Sequence, residues 1–300
     1  MIDSLIIGAG PAGLTAAIYL ARYRRRIRVI SAGASRAQLI PLTHNFPGFP
    51  DGVSGANLLQ RLQAQASNYG VEIETGRIES LERGDGGGFA AATGEEVIRA
   101  ATVVLATGVI DQYPDFDGLR EATLSGLVRW CPICDGYEVM DQSIAILSPA
   151  KPGLGHALFL RTYSRRTTLL ALGDGEGLSP DEVAQLEAAE IELVTAPVVS
   201  FKADAGNRRV VVALADGTQR QFDTVYPMHG CSVQGMLATA LGADSDAQGG
   251  PVVDARQQTS VRGLYAVGDV VSALNQLSVA IGHAAVAATA IHNALPANPR

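Results

Sequence analysis

Apolar and polar positions along the chain repeat one arrangement twice. Residues 3–8, DSLIIG, are a short apolar run closed by glycine, which predicts a buried strand. PAGLTAAIYLARY follows with Leu14, Ala17, Ile18 and Ala21 at helical spacing, and RIRVISAG is the next strand. Together they predict a βαβ unit. Pro11 suits an early helical position because its missing N–H would be unpaired there. Residues 34–55 are rich in turn formers, including NFPGFPDG. SGANLLQRLQAQASNYG predicts a helix capped by Ser54. Residues 71–105 alternate around the GDGGG turn at 84–88, a small antiparallel meander, and VVLATG at 103–108 is a buried strand ending on Gly108.

A second α/β block begins near Tyr113. It contains SIAILS at 143–148, a helix over His156–Tyr163, TTLLALG at 167–173, and the strand pair VVVALADGTQRQF turning at Asp216–Gly217. GLYAVGDVV at 263–271 is another strand running into Gly268 and Asp269, and an amphipathic helix spans about 275–294. The fold class is therefore α/β, with two βαβ starts near residues 3 and 143 and no tandem repeat.

A chain of 300 residues has room for two cores, and 47% hydrophobic with 18% charged residues excludes a disordered chain. With 23 Lys+Arg against 30 Asp+Glu, the formal charge of −7 argues against a general nucleic-acid binder. No apolar run approaches the roughly 18 residues of a bilayer span, so no membrane partner is expected. The arginines between Arg22 and Arg28 read as solvated cations at a helix C-terminus. Three cysteines are too few for a disulfide-stapled secreted scaffold. The N-terminus reads as a first strand rather than a signal peptide, so a cytoplasmic location is expected.

Chemistry concentrates in two places. Gly8, Gly10 and Gly13 complete G-x-G-x-x-G between a strand and a helix. That context brings a pyrophosphate close to free N–H groups at a helix N-terminus. The second strand ends in Ser31, Ala32 and Gly33, not in the acidic residue that normally takes a ribose hydroxyl. The other place is WCPICDGYE, Trp130 to Glu138. Two thiols at this spacing can close a redox disulfide. Half a zinc site and an inert pair are the alternatives. Zinc would need two further ligands, and His229 and Cys231 are the available donors at a cramped spacing. The favoured reading is a redox dithiol with no metal, and Cys231 reads as a small buried hydrophobe.

GAGPAG, NFPGFPDG, LATG, CPICDG and TSVRGLYAVGDV occur in an order that resembles the low-molecular-weight thioredoxin reductases, over nearly the whole chain. The resemblance implies two Rossmann-like three-layer domains. The FAD domain, residues 1–112 and 229–300, would be split by an inserted NAD(P)H-type domain, 113–228, carrying the cysteines. It implies FAD held by Gly8, Gly10, Pro11, Ala12 and Gly13, with Gly108, Gly268 and Asp269 nearby. Gln38 and Asn45 would line the flavin region, and the backbones of Gln276 and Leu277 would approach the ring. Members of the family often lack the acidic residue after the second strand, so Ser31 is compatible with FAD. The resemblance further implies that Cys134 faces the flavin, that Cys131 attacks the partner disulfide, and that Asp135 is the general acid/base. A homodimer is implied as well. Like charge and burial should raise the Asp135 pKa. His283 is a further acid/base candidate or a helix histidine without a role.

One stretch departs from the family pattern. The second glycine fingerprint, for NADPH, falls on AILSPAKPGLGHA: Ser148 and Ala150 stand at glycine positions, Gly153 at the third, and Pro149 and Pro152 flank Lys151. Proline removes donors a pyrophosphate needs. After the next strand, where a basic cluster should bind the 2′-phosphate, stand Asp174, Glu176, Asp181 and Glu182. The sequence therefore resembles the NADPH-independent branch, the gliotoxin- and holomycin-type dithiol oxidases or the ferredoxin-linked thioredoxin reductases. Expected partners are a small dithiol or a thioredoxin-like protein, with oxygen or ferredoxin at the other end. A flavin redox sensor without turnover is the alternative from another class.

Overall fold

The computed structural model describes residues 1–33, 35–84, 86–112, 118–172, 177–204, 206, 208–271 and 274–298. Tyr113, the expected start of the second block, lies outside them, as do Asp85, Asp174 and Glu176. The first sheet contains β1 (Ile2–Ile7), β2 (Ile27–Ser31), β3 (Ile73–Thr75), β4 (Ser80–Arg83), β5 (Phe89–Thr93) and β6 (Glu96–Leu105) in the order β3-β2-β1-β6-β5-β4. The first four pair in parallel, whereas β4, β5 and β6 form the antiparallel meander. The sequence expectation put all of 71–105 in the meander; β3 instead joins β2 in parallel. Long β6 has β1 on one side and two successive partners on the other: its first half pairs β5, and Val103–Leu105 pair in parallel with β16 (Leu264–Ala266). Strands from both ends of the chain thus share one sheet.

Helix α1 (Pro11–Arg22) crosses from β1 to β2, and α2 (Gly55–Ser67) is capped by the Ser54 hydroxyl, which accepts the Asn57 N–H. The last helix, α8 (Leu277–Ala294), lies on α1. Ala284, Ala287, Ala288 and Ile291 are fully buried against Ala16, Ala17 and Leu20. Small side chains let the two helices approach closely, and dispersion over that contact holds them. By length and composition α8 could cross a membrane, with 18 residues at mean hydropathy 1.2. This corrects the expectation that no segment reached that length. Here its alanines serve a helix–helix core.

The arginine run is also corrected. Arg25 is buried, 7% exposed, and donates to the carbonyls of His292 and Pro296 at 2.8 and 2.9 Å. It caps the end of α8, where carbonyls lack helical partners. Arg28 pairs with Glu74 and Glu96, tying β2 to β3 and β6.

The second sheet, β10-β9-β8-β14, is all parallel: β8 (Ile144–Pro149), β9 (Thr167–Leu172), β10 (Glu192–Val194) and β14 (Thr224–Pro227). Helices α3 (Leu119–Leu124), α4 (Pro132–Asp135), α5 (Ala150–Leu160) and α6 (Pro180–Ala188) belong to this half, with the antiparallel strands β11 (Val198–Asp204), β12 (Arg209–Leu214) and β13 (Gln219–Phe222). Helix α5 begins at Ala150, a turn and a half before the expected His156. Pro152 falls in its first turn, where a missing N–H breaks no helical bond. Between the halves run β7 (Val109–Asp111) and β15 (Cys231–Val233), paired antiparallel, and short α7 (Met236–Ala240) follows.

Candidate active site

A cleft of about 1610 Å³ runs from the β1–α1 turn to the cysteine motif and on to α5. Its floor is built by close backbone approach. Gly8 has φ +107°, and a Cβ there would lie 2.3 Å from the Ala106 carbonyl oxygen; at Gly13 it would lie 1.9 Å from the Gly8 oxygen. Gly10 caps α1 and Pro11 opens it. The turn thus lays bare N–H groups of the first helical turn, with Ala12 packed beneath. Gly268, at φ +76°, lets the segment carrying Asp269 nest on this turn: a Cβ would sit 3.0 Å from that of Ala12. Gly108, at φ +65°, accepts the Gln234 N–H through its carbonyl. Asn275 lines the same cleft with a buried Oδ1 that has no partner among the described residues.

Arg36, for which the sequence carried no signal, ties this region together. It donates twice to Asp111 at 2.7 Å and to Asp269 at 3.1 Å. Burial pushes the Asp269 carboxyl upward, and the Arg36 charge opposes that shift. Gln38 is exposed and does not line the cleft, unlike Asn45. The three-residue step of the turn at Arg36–Leu39 presents Ala37 to the core instead. His283 is not among the cleft-lining residues either. Its Nδ1 is buried with no partner among the described residues, burial lowers its pKa, and the charge of Asp269 opposes that shift.

Cys131 and Cys134 are disulfide-bonded across α4, with Cys131 as its N-cap. Gln276, the residue before α8, reaches them with its side chain: Nε2 lies 3.4 Å from Cys131 Sγ and 3.3 Å from Cys134 Sγ. Disulfide sulfurs carry no proton, so the amide nitrogen is the donor. Leu277 opens α8 at the edge of the cleft. Besides Gln276, two further contacts join the halves here: His44 Nδ1 to Glu138 Oε1 at 2.8 Å, and Asn45 Nδ2 to the Ile133 carbonyl at 3.4 Å.

Behind the disulfide, Asp135 is held between Arg129 Nη1 at 3.0 Å and the Tyr226 hydroxyl at 2.8 Å. Burial raises its pKa, and Arg129 and Tyr226 oppose the rise. The like charge of Glu138 is the smallest contribution. Burial, not like charge, is therefore the main cause. Sequence reading missed both partners. Arg129 stands two residues before Cys131, and Tyr226 is a fully buried strand residue 91 positions away.

At the second βα junction, β8 passes into α5 without a glycine turn. Pro149 is the N-cap and Pro152 the third helical residue. Two of the four N–H donors of that helix end are missing. Gly153 keeps its packing role: a Cβ there would lie 2.6 Å from Leu169. Asp181 and Glu182 lie in the first turn of α6, where Glu182 forms a capping box with Ser179. Among the described residues no group of His, Cys, Asp and Glu could hold a metal ion.

The family model for pyridine nucleotide-disulphide oxidoreductases matches residues 2–287. The chain belongs to that family. It is similar to a thioredoxin reductase of Streptomyces coelicolor, 32% identical over 170 residues, 55% of this chain and 52% of that protein. It thus spans about half the length of such relatives. It is also similar to the Helicobacter pylori thioredoxin reductase, 27% identical over 97% of this chain and 98% of that protein. Among solved structures, HlmI is 32% identical with a TM-score of 0.88, over 97% and 92% of the two chains. The family's thioredoxin reductases are FAD flavoproteins, and FAD is the cofactor here. The Gly8–Gly13 cradle and the unpartnered Asn275 oxygen fit it.

Proposed function

We propose that this flavoprotein is a dithiol oxidase that works without NADPH. The observation that carries the reading is the β8–α5 junction, with prolines at the N-cap and in the first turn where a nucleotide pyrophosphate would need donors. The sequence resemblance to the gliotoxin- and holomycin-type dithiol oxidases supports it, as does the 32% identity to HlmI over 97% of this chain.

A substrate thiolate attacks Cys131 Sγ. The disulfide breaks, a mixed disulfide forms, and Cys134 leaves as thiolate. The second substrate thiolate then attacks the substrate sulfur of the mixed disulfide and expels Cys131. The substrate leaves as its disulfide, oxidised by two electrons, and the cysteine pair is reduced by two. Asp135, at its raised pKa, takes up a proton released by the substrate thiols and returns it to solvent. Gly8, Gly10, Gly13 and Asp269 hold the cofactor. Bound FAD supplies the two-electron acceptor, with oxygen as the terminal oxidant. Ile133, half exposed between the cysteines, with Leu42, Leu124 and Phe159 at the cleft, gives the entrance apolar walls suited to a small apolar dithiol.

The test is oxygen uptake with a dithiol and no nucleotide. Steady turnover supports the reading and excludes a redox sensor that does not turn over. Absence of uptake in protein with a full flavin complement overturns it. A thioredoxin reductase fed by ferredoxin or by weakly bound NADPH is the second reading. It is favoured by the full-length similarity to the Helicobacter enzyme and by exposed Tyr137 and Met140 beside the motif. The homodimer is part of the proposal, tested by light scattering.

A further inference from the structure

We propose that the Gln276 carboxamide is the donor that stabilises the Cys134 thiolate once the pair is reduced, and that Asn45 and Thr43 are positioning residues that fix its sense. The inference rests on the thiol–disulfide chemistry proposed above and names a residue within it.

The polarity of the network decides the point. The Thr43 hydroxyl donates to Asn45 Oδ1 at 2.8 Å, and Asn45 Nδ2 donates to Gln276 Oε1 at 2.9 Å and to the Ile133 carbonyl at 3.4 Å. Gln276 Nε2 is then left to face the sulfurs. The Ile133 carbonyl can only accept, and so can a disulfide or thiolate sulfur. Both acceptor-only groups therefore demand the same orientation of the two amides, and reversing the chain would set oxygen against oxygen. Thr43 is itself anchored: it is buried and exchanges both backbone hydrogen bonds with Val53. Cys131 Sγ already accepts the Cys134 N–H at 3.1 Å. Cys134 Sγ has Gln276 as its side-chain donor among the described residues, so the amide acts chiefly on Cys134.

The charged groups around the pair are Asp135 with Arg129 behind the cysteine turn, and Glu138 with His44 between the halves. Arg36, Asp269 and His283 lie on the α8 side. Carboxylates there disfavour a thiolate, which makes a neutral N–H donor at the sulfur more valuable. A hydrogen bond to an ionised group shifts its pKa by about one unit or more.

The test is the pH profile of Cys134 alkylation in the fully reduced, flavin-loaded protein. Dithiothreitol breaks the Cys131–Cys134 bond, delivers two electrons and one proton to leave a thiol and a thiolate, and departs as its cyclic disulfide with the second proton in solvent. After anaerobic removal of reagent, iodoacetamide labelling at Cys134 is followed from pH 5 to 9. We expect the midpoint to rise by about one unit in Gln276→Met, and further in Gln276→Glu, where a negative charge replaces the donor. Thr43→Val, which leaves Gln276 intact but frees Asn45, should give a smaller rise in the same direction. A midpoint unmoved in Gln276→Met and Thr43→Val overturns the inference. If dithiothreitol does not reduce the wild-type pair, the proposed function itself fails, so the two failures are distinguishable.

Discussion

Replacing Arg129 with methionine perturbs the acid/base group through a contact the sequence did not announce. The guanidinium lies 3.0 Å from Asp135 Oδ2, and both side chains are about four-fifths buried, with exposures of 21% and 19%. Burial raises the Asp135 pKa, and Arg129 is the largest influence opposing that rise. A charge-assisted hydrogen bond at such a site contributes about 1.5–3 kcal/mol to the ionised form, or roughly one to two pKa units. Methionine keeps most of the stem's volume and removes the charge. The acidic limb of kcat for dithiol oxidation, along which Asp135 becomes the base, should therefore move upward by about one to two pH units. Asp135→Asn should abolish the limb. A limb that stays in place in Arg129→Met, or moves to lower pH, would refute the electrostatic reading. The same shift bears on stability. With its folded pKa raised, Asp135 contributes stability that is complete below the ordinary carboxylate pKa and is lost as pH rises through the folded value.

Gly13→Ala would place a methyl 1.9 Å from the Gly8 oxygen, so the purified variant should lack flavin, seen as loss of the yellow absorbance. Arg25→Met leaves the carbonyls of His292 and Pro296 without their donor. It should cost about 2 kcal/mol, measured as a lower thermal midpoint with flavin binding retained below it. Cys231→Ser should leave dithiol oxidation unchanged, because Cys231 is exposed in β15, opposite Asp111, outside the disulfide.

Much of the fold was legible because local signals and tertiary structure agree. Gly8, Pro11 and Gly13 are demanded by one tight turn, and the last helix starts within two residues of its expected place. The cysteine pair was legible for the same reason: its geometry is contained in four residues. What escaped sequence reading depends on distant partners. Arg36 meets Asp111 and Asp269 across 75 and 233 positions, and Tyr226 meets Asp135 across 91. Gln276 was expected to offer its backbone, yet its side chain lies on the disulfide 142 positions away. Arg25 looked like one more surface cation because a buried arginine and a solvated one are indistinguishable until the carbonyls they serve are in place. Helix α5 starts earlier than expected because Pro149 and Pro152 stand at its N-cap and in its first turn, where a missing N–H is tolerated.

The central claim is that electrons enter from a dithiol and not from NADPH. An anaerobic titration of the flavin-loaded protein, read at the flavin band near ~450 nm, tests it directly. The account predicts no bleaching with NADPH, then bleaching of the same sample by a small dithiol and recovery on admitting air. Rapid bleaching at micromolar NADPH would contradict it. The missing donors at Pro149 and Pro152 would then not prevent nucleotide binding, and the protein would be a reductase.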